Sequence, residues 1–312
     1  MPFNQRKNHT LLILFILTIL FNASGSFAQK LSMAEAKHAG DSIIPEAILP
    51  FWQSLTLKEK VAQTLMVYMP SASYIKKHQF GGVLIMKPHL KDTLHLKEEL
   101  SLANESLKIP LLTAIDQEGG KVNRLQAISP EWKNLPSAKE MRTMTDDSVY
   151  NLAKQIGNAL HHYGINLNLA PVLDPPKDSK GKPSFIEVSN RSFGEFETAV
   201  PKIRSFVKGM KESKVLSTSK HFPGYDSWTN SDHQIAFSTS SKEIILRNVE
   251  LFKEFADEIP VVMLSSVRFV RLSNTPAVFN PKITAMAREI SPYTVLLTDD
   301  LWGVSLRAWI SG

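Results

Sequence analysis

The side chains able to do chemistry in this 312-residue chain collect at the ends of short apolar runs. Asp116 follows Leu111–Ile115, Asp174 follows Ile165–Leu173, and Lys220-His221 follow Lys214–Ser219. Ser265-Ser266 end the run that begins at Val261, and Asp299-Asp300 come just after Thr294–Leu297. One stretch concentrates them: Ser217–His233, STSKHFPGYDSWTNSDH, passes from a β-like segment through Lys220-His221 into a polar loop closing on Asp232-His233. Carboxylates, an amine and imidazoles are the groups of nucleophilic and general acid–base catalysis. A single strand-end Asp is most often a cap or a turn residue. Five polar strand ends in one chain point to a common face.

That face needs elements to build it. Short apolar runs alternate with longer helical patterns, the sign of βα units and a parallel sheet. The strands are expected at 64–69, 81–86, 111–115, 165–173, 214–219, 261–265 and 294–297, and the helices at 57–63, 73–79, 92–108, 146–163, 201–212 and 241–257. Thr56, Thr145 and Ser240 or Ser241 are placed as N-caps, Pro201 as a helix start and Gly164 as a helix stop. The fold class is therefore α/β, a TIM (β/α)8-type barrel truncated before the eighth strand. In such barrels the active face lies at the C-terminal ends of the strands. Seven strands leave two unpaired edges, a liability. The expectation is a fragment of a longer product with a further C-terminal domain, or closure by a partner.

Bulk properties bound the rest. Arg6 and Lys7, the apolar run Leu11–Phe21 and the small residues of Ser26-Phe27-Ala28 form a signal peptide over 1–28, cleaved after Ala28. Residues 29–312 are then the exported domain, periplasmic or secreted, and cleavage takes the formal charge from +6 to +4. Lys and Arg are spread along the chain with no like-charge block, so a nucleic-acid partner is not expected. There is no cysteine, which excludes disulfides, thiolate metal sites and a lipid-modified cysteine. The nine histidines show no HExxH spacing, so neither a metal nor a cofactor is expected.

The stretches DQEGGKVNRL (116–125), APVLD (170–174), NRSFG (190–194), KHFPG (220–224) and TDDL (298–301) together resemble glycoside hydrolase family 3. The bacterial β-N-acetylhexosaminidase branch is the most similar, and the motifs keep the family's order. The resemblance implies release of β-linked N-acetylglucosamine, with retention, from peptidoglycan or other amino-sugar glycans. It places the nucleophile at Asp299, with Asp300 a structural neighbour. It places the acid at His233, whose imidazole suits the role by its near-neutral pKa. It assigns sugar binding to Asp116, Arg124, Arg191, Lys220 and His221. An Asp beside a Lys–His pair offers acceptors and donors to vicinal hydroxyls, and Arg forks between two oxygens.

The loop departs from the family's pattern. Where the branch has G-H-G-D-T-x-x-D-S-H, this chain reads GYDSWTNSDH, the same length. Tyr225 and Asp226 replace a His and a Gly, and Ser231 replaces the Asp that orients the acid. Ser266 stands where a His is common. A neutral Ser231 stabilises imidazolium less than a carboxylate would, so acid catalysis is expected to be impaired or retuned. Two other readings remain beside the first: a β-glucosidase-type member that takes its acid from elsewhere, and a glycan-binding protein with impaired catalysis.

Overall fold

Short polar caps set the chain's rhythm. Thr56 and Glu59 form a reciprocal capping box, and the Thr145 and Ser241 side chains accept N–H groups of the turns they start. The computed structural model describes residues 48–290 and 294–311; the expected leader, 1–28, lies outside the described residues. The strands are β1 (Met66–Tyr68), β2 (Gly82–Ile85), β3 (Leu112–Ile115), β4 (Leu167–Asn168), β5 (Leu216–Phe222), β6 (Phe237–Ser238), β7 (Val261–Leu264), β8 (Arg268–Phe269) and β9 (Val295–Thr298). The principal helices are α1 (Leu57–Gln63), α2 (Ala72–His78), α3 (Thr93–Glu105), α4 (Asp146–His162), α5 (Phe196–Glu212), α6 (Lys242–Glu254), α7 (Pro281–Ile290) and α8 (Val304–Ile310).

Seven strands form one parallel sheet in the order β1-β2-β3-β4-β5-β7-β9. The sequence alternation produces two layers from it. Ala114, Val261 and Met263 pack with Leu167, Leu169 and Val295 in one cluster. Their strand neighbours Ile115, Val262 and Leu264 join the other cluster, with Ile156 and Leu160 of α4 and Ile203 and Phe206 of α5. Alternate residues of a strand point to opposite faces, so the first cluster fills the inside of the curl and the second binds the helices to its outside. The curl has a direct mark. The Tyr68 hydroxyl at the end of β1 donates to Asp300 Oδ2, just beyond β9, at 2.6 Å. First and last strands are thus within side-chain reach, in an open barrel in which β1 pairs with β2 and β9 with β7.

Three expected boundaries move, each for a stated reason. The fourth strand shrinks from 165–173 to Leu167–Asn168 because Pro171 has no N–H to give the ladder. The chain still runs beside β5, with Thr218 N–H bonded to Ala170 O and Leu173 N–H to Lys220 O. The fifth strand runs on to Phe222 through a register shift between Lys220 and Phe222 against β7. Helix α5 begins at Phe196, so Pro201 lies inside it instead of opening it. The small parallel pair β6–β8, which ties the loop after β5 to the one after β7, carries no strand-like sequence pattern and was not expected.

Candidate active site

Glycines shape the two motif turns that frame the site. Gly119 has φ +94°, and a Cβ there would lie 2.1 Å from the Pro136 carbonyl oxygen. Gly224 has φ +116°, and a Cβ would meet Asn248 at 2.9 Å. Only glycine fits either place, which is why DQEGG and KHFPG end as they do.

Between these turns lies a chain of buried charges. Lys220, on β5, is 2% exposed. Its Nζ donates to Asp116 Oδ1 at 2.8 Å and lies 2.7 Å from Glu118 Oε1. Arg191 grips the same Glu118 with two parallel bonds, Nε to Oε2 and Nη2 to Oε1, both 2.8 Å. Burial alone would push the Glu118 carboxyl up; the charges of Arg191 and Lys220 override it and hold the carboxyl well below the usual range. Burial likewise opposes the Lys220 ammonium, and Asp116 and Glu118 reverse that, raising it.

The sign of the resulting pH dependence follows. A carboxyl depressed in the folded state stabilises fully above its unfolded value of about 4.3 and loses that contribution as pH falls below it. The protein should therefore lose thermal stability steeply below about pH 4.3. Glu118→Gln should be destabilised at neutral pH, by about 3–5 kcal/mol for a broken buried pair, and show a flatter acid slope. Melting temperatures of both proteins across the acid range check this; parallel curves would refute it.

A second centre holds the imidazole. Asp174, with no exposed side-chain surface, accepts the backbone N–H of His221 (2.8 Å) and of Tyr225 (2.6 Å) on Oδ1. Its Oδ2 is 2.6 Å from His221 Nδ1. A carboxylate there fixes the proton on Nδ1 and leaves Nε2 as the ring's free nitrogen. Adjacent residues of a regular strand face opposite ways, yet Lys220 and His221 both serve this face, at the register shift described above.

Beyond β9, Asp299 and Asp300 divide their roles. Asp300 receives the Tyr68 hydroxyl on Oδ2 and the Trp302 N–H on Oδ1 (2.9 Å), so its carboxyl is a fastener. Its own N–H goes to Asp299 Oδ1 at 2.8 Å. That single bond orients the Asp299 carboxyl and leaves its Oδ2 without a protein partner among the described residues.

The loop after β5 is clamped. Tyr225 is buried; its hydroxyl donates to Thr229 O and accepts the Ser231 N–H at 2.8 Å. Asp226 is buried against the Ser240 hydroxyl, and burial raises its carboxyl. At the loop's tip, Ser231 O and Asp232 O accept N–H groups of Ser305 (3.0 Å) and Val304 (3.3 Å). Ser231 is buried beside the Tyr225 hydroxyl, and no hydrogen bond joins it to His233. His233 is exposed, and its ring makes no hydrogen bond among the described residues.

Of the residues singled out from the sequence, Asp116, Lys220 and Arg191 meet through Glu118, and His221 stands on Asp174. Arg124 is half-buried, and its Nε is enclosed without a hydrogen-bond partner among the described residues. Glu118 was given no role from the sequence, and Asp174 was noted there only as a polar strand end; the structure places both at the centre of this buried network. Their signal was present in DQEGG and APVLD, but an acid next to a strand end reads as a solvated cap until its partners are known.

An open parallel α/β barrel with its polar groups at the C-terminal strand ends defines an enzyme-type barrel. The chain belongs to glycosyl hydrolase family 3: residues 56–291 match that family's N-terminal domain. It is 28% identical over 238 residues to a β-hexosaminidase of Pseudomonas aeruginosa, covering 73% of this chain and 68% of that protein. It is 28% identical over 208 residues to one from Actinobacillus pleuropneumoniae, covering 63% and 58%. Among solved structures, a family 3 β-N-acetylglucosaminidase from a Paenibacillus superposes with a TM-score of 0.71 at 28% identity, over 82% of this chain and 51% of that one. The chain thus spans roughly half to two thirds of the length of these three proteins.

Proposed function

We propose that this chain is the barrel of an exported, retaining β-N-acetylglucosaminidase acting on peptidoglycan or other amino-sugar glycans. The observation that carries the reading is Asp299: a carboxyl at the C-terminal end of β9, oriented by one backbone N–H and otherwise free among the described residues. The names borne by the relatives support the sugar, and the expected leader supports export. Asp299 attacks the anomeric carbon and forms a glycosyl ester, and water then releases the sugar. The remaining Lys220 proton, Asp116 and His221 Nε2 hold the sugar hydroxyls, and Arg124 supplies a cation whose Nε has no hydrogen-bond partner among the described residues. The proton for the leaving oxygen comes from the tip of the loop after β5, where the family's pattern nominates His233. A segment completing the sheet between β1 and β9 belongs to the same proposal.

A panel of aryl glycosides tests it. Turnover of the β-N-acetylglucosaminide, with β-configured sugar as first product by NMR, is the expected result. Preference for the β-glucoside, or an α-configured first product, would overturn it. Binding of N-acetylglucosamine without hydrolysis would make the chain a glycan-binding protein.

A further inference from the structure

The turn that follows Asp299 carries an apolar tip that the chemistry above does not use. The Gly303 N–H returns to the Asp300 carbonyl at 3.1 Å, closing a β-turn with Leu301 and Trp302 at its centre. Both stand out from the surface, Leu301 at 44% exposure and Trp302 at 71%. An exposed apolar side chain by itself means little. What marks Trp302 is how firmly it is held, and to what. Its N–H donates to Asp300 Oδ1 at 2.9 Å, and the other oxygen of that carboxylate takes the hydroxyl of the exposed Tyr68 at 2.6 Å. The Asp300 N–H in turn donates to Asp299 Oδ1 at 2.8 Å. On the far side of the turn, the N–H groups of Val304 and Ser305 bind the carbonyls of Asp232 and Ser231, at the tip of the loop after β5. Above the indole lies the Arg307 guanidinium of α8, its Cζ 5.5 Å from the ring centroid. Arg307 makes no ion pair among the described residues, and its charge settles the ring by a cation–π contact.

Resting on the reading of Asp299 as nucleophile, we propose that Trp302, backed by Arg307, is the stacking surface for the leaving sugar, the unit on the far side of the bond that is cut. Three residues of chain span at most about 10 Å, so Trp302 begins within that distance of Asp299. A leaving sugar starts one oxygen beyond the carbon that Asp299 attacks, which brings its ring to the neighbourhood of this turn. The C–H groups of a pyranose make an apolar face. A flat indole covers such a face while losing the freedom of only two side-chain torsions. Here much of that cost is met in advance, because the turn fixes the backbone and Arg307 holds one face of the ring. Continuity with the site is what selects a sugar as the occupant: the same carboxylate, Asp300, fastens Trp302 and orients Asp299 through its own N–H. Trp228, which is equally exposed at 73% on the loop after β5, shares no hydrogen bond with the Asp299–Asp300 pair among the described residues.

The test compares two leaving groups. N,N′-diacetylchitobiose presents a second sugar, and β-N-acetylglucosaminyl fluoride presents a leaving atom with no ring. Trp302→Ala should lower the chitobiose-to-fluoride ratio of kcat/KM by about 10- to 100-fold, the scale of one lost aromatic contact with its buried area. Trp302→Phe should recover most of the ratio, and Trp228→Ala should leave it as it is. An unchanged ratio in Trp302→Ala, equal losses on both substrates, or a fall in Trp228→Ala alone overturns the proposal. Equal losses would make Trp302 a brace for Asp299; an unchanged ratio with altered sedimentation would make the turn a contact between protein chains. Wild-type inactivity on the fluoride removes the hydrolase reading instead, and binding then decides the placement. The Trp302 indole N–H signal, assigned in the NMR spectrum with Trp302→Phe, should shift on titration with chitobiose and move far less with N-acetylglucosamine. A Trp302 signal that chitobiose leaves in place sinks the proposal.

Discussion

Asp299→Ala should lower turnover of an aryl β-N-acetylglucosaminide by about 10⁴- to 10⁶-fold, the loss seen when an essential nucleophile is removed. The loss should come without a large loss of stability. Asp299 receives one hydrogen bond, from the Asp300 N–H, and its neighbours remain fastened by Tyr68 and Trp302. The truncated site leaves room for a small anion beside the anomeric carbon. Azide should therefore restore part of the rate and give the α-glycosyl azide by single displacement. Restored β-glycosyl azide, or a loss under about tenfold, would point to attack by the substrate's own acetamido group, the route taken by some other glycosidases.

Lys220→Met should be the most damaging change to the fold. Methionine is near in length, so packing alone changes little. What goes is the cation between Asp116 and Glu118, with Nζ at 2.8 Å from one and 2.7 Å from the other in a 2% exposed position. Glu118 keeps Arg191, but the half-buried Asp116 loses its ion-pair partner, and its negative charge is left uncompensated beside the buried Glu118. Breaking a buried pair from one side costs about 3–5 kcal/mol, which for a domain of this size lowers the melting temperature by on the order of 10 °C. Calorimetry checks it. Because Asp116 also carries the proposed sugar contacts, sugar affinity should fall in parallel. A Lys220→Met protein as stable as the wild type would mean that Asp116 and Glu118 are held by groups other than Lys220.

The fold was largely legible because its rules are local. Apolar runs bounded by polar caps gave seven parallel strands, and the capping residues Thr56 and Thr145 do what their positions suggested. Pro171 shows the limit: a run that reads as nine residues of strand keeps two, because one missing N–H breaks the ladder. The positions of Lys220 and Asp299 at the strand ends were legible, because each is set by its own motif. The site was illegible where a side chain's role depends on distant partners. Glu118 is defined by Arg191, 73 positions away, and Asp174 by His221, 47 positions away. Tyr225 looked like the loss of a histidine, and a serine at 231 in place of a carboxylate looked like damage to an acid. In the folded chain Tyr225 is a strut that fastens the loop through Thr229 and Ser231.

The central claim is that Asp299 forms a covalent bond to the sugar. Incubation with a dinitrophenyl N-acetylglucosaminide fluorinated on the ring, which forms the ester faster than it loses it, puts that claim to intact-mass and peptide mass spectrometry. The account predicts one glycosyl unit per chain, located on the peptide that contains Asp299 and absent from Asp299→Ala. A chain that releases dinitrophenol while remaining unlabelled, or that carries the sugar on any other residue, would contradict it.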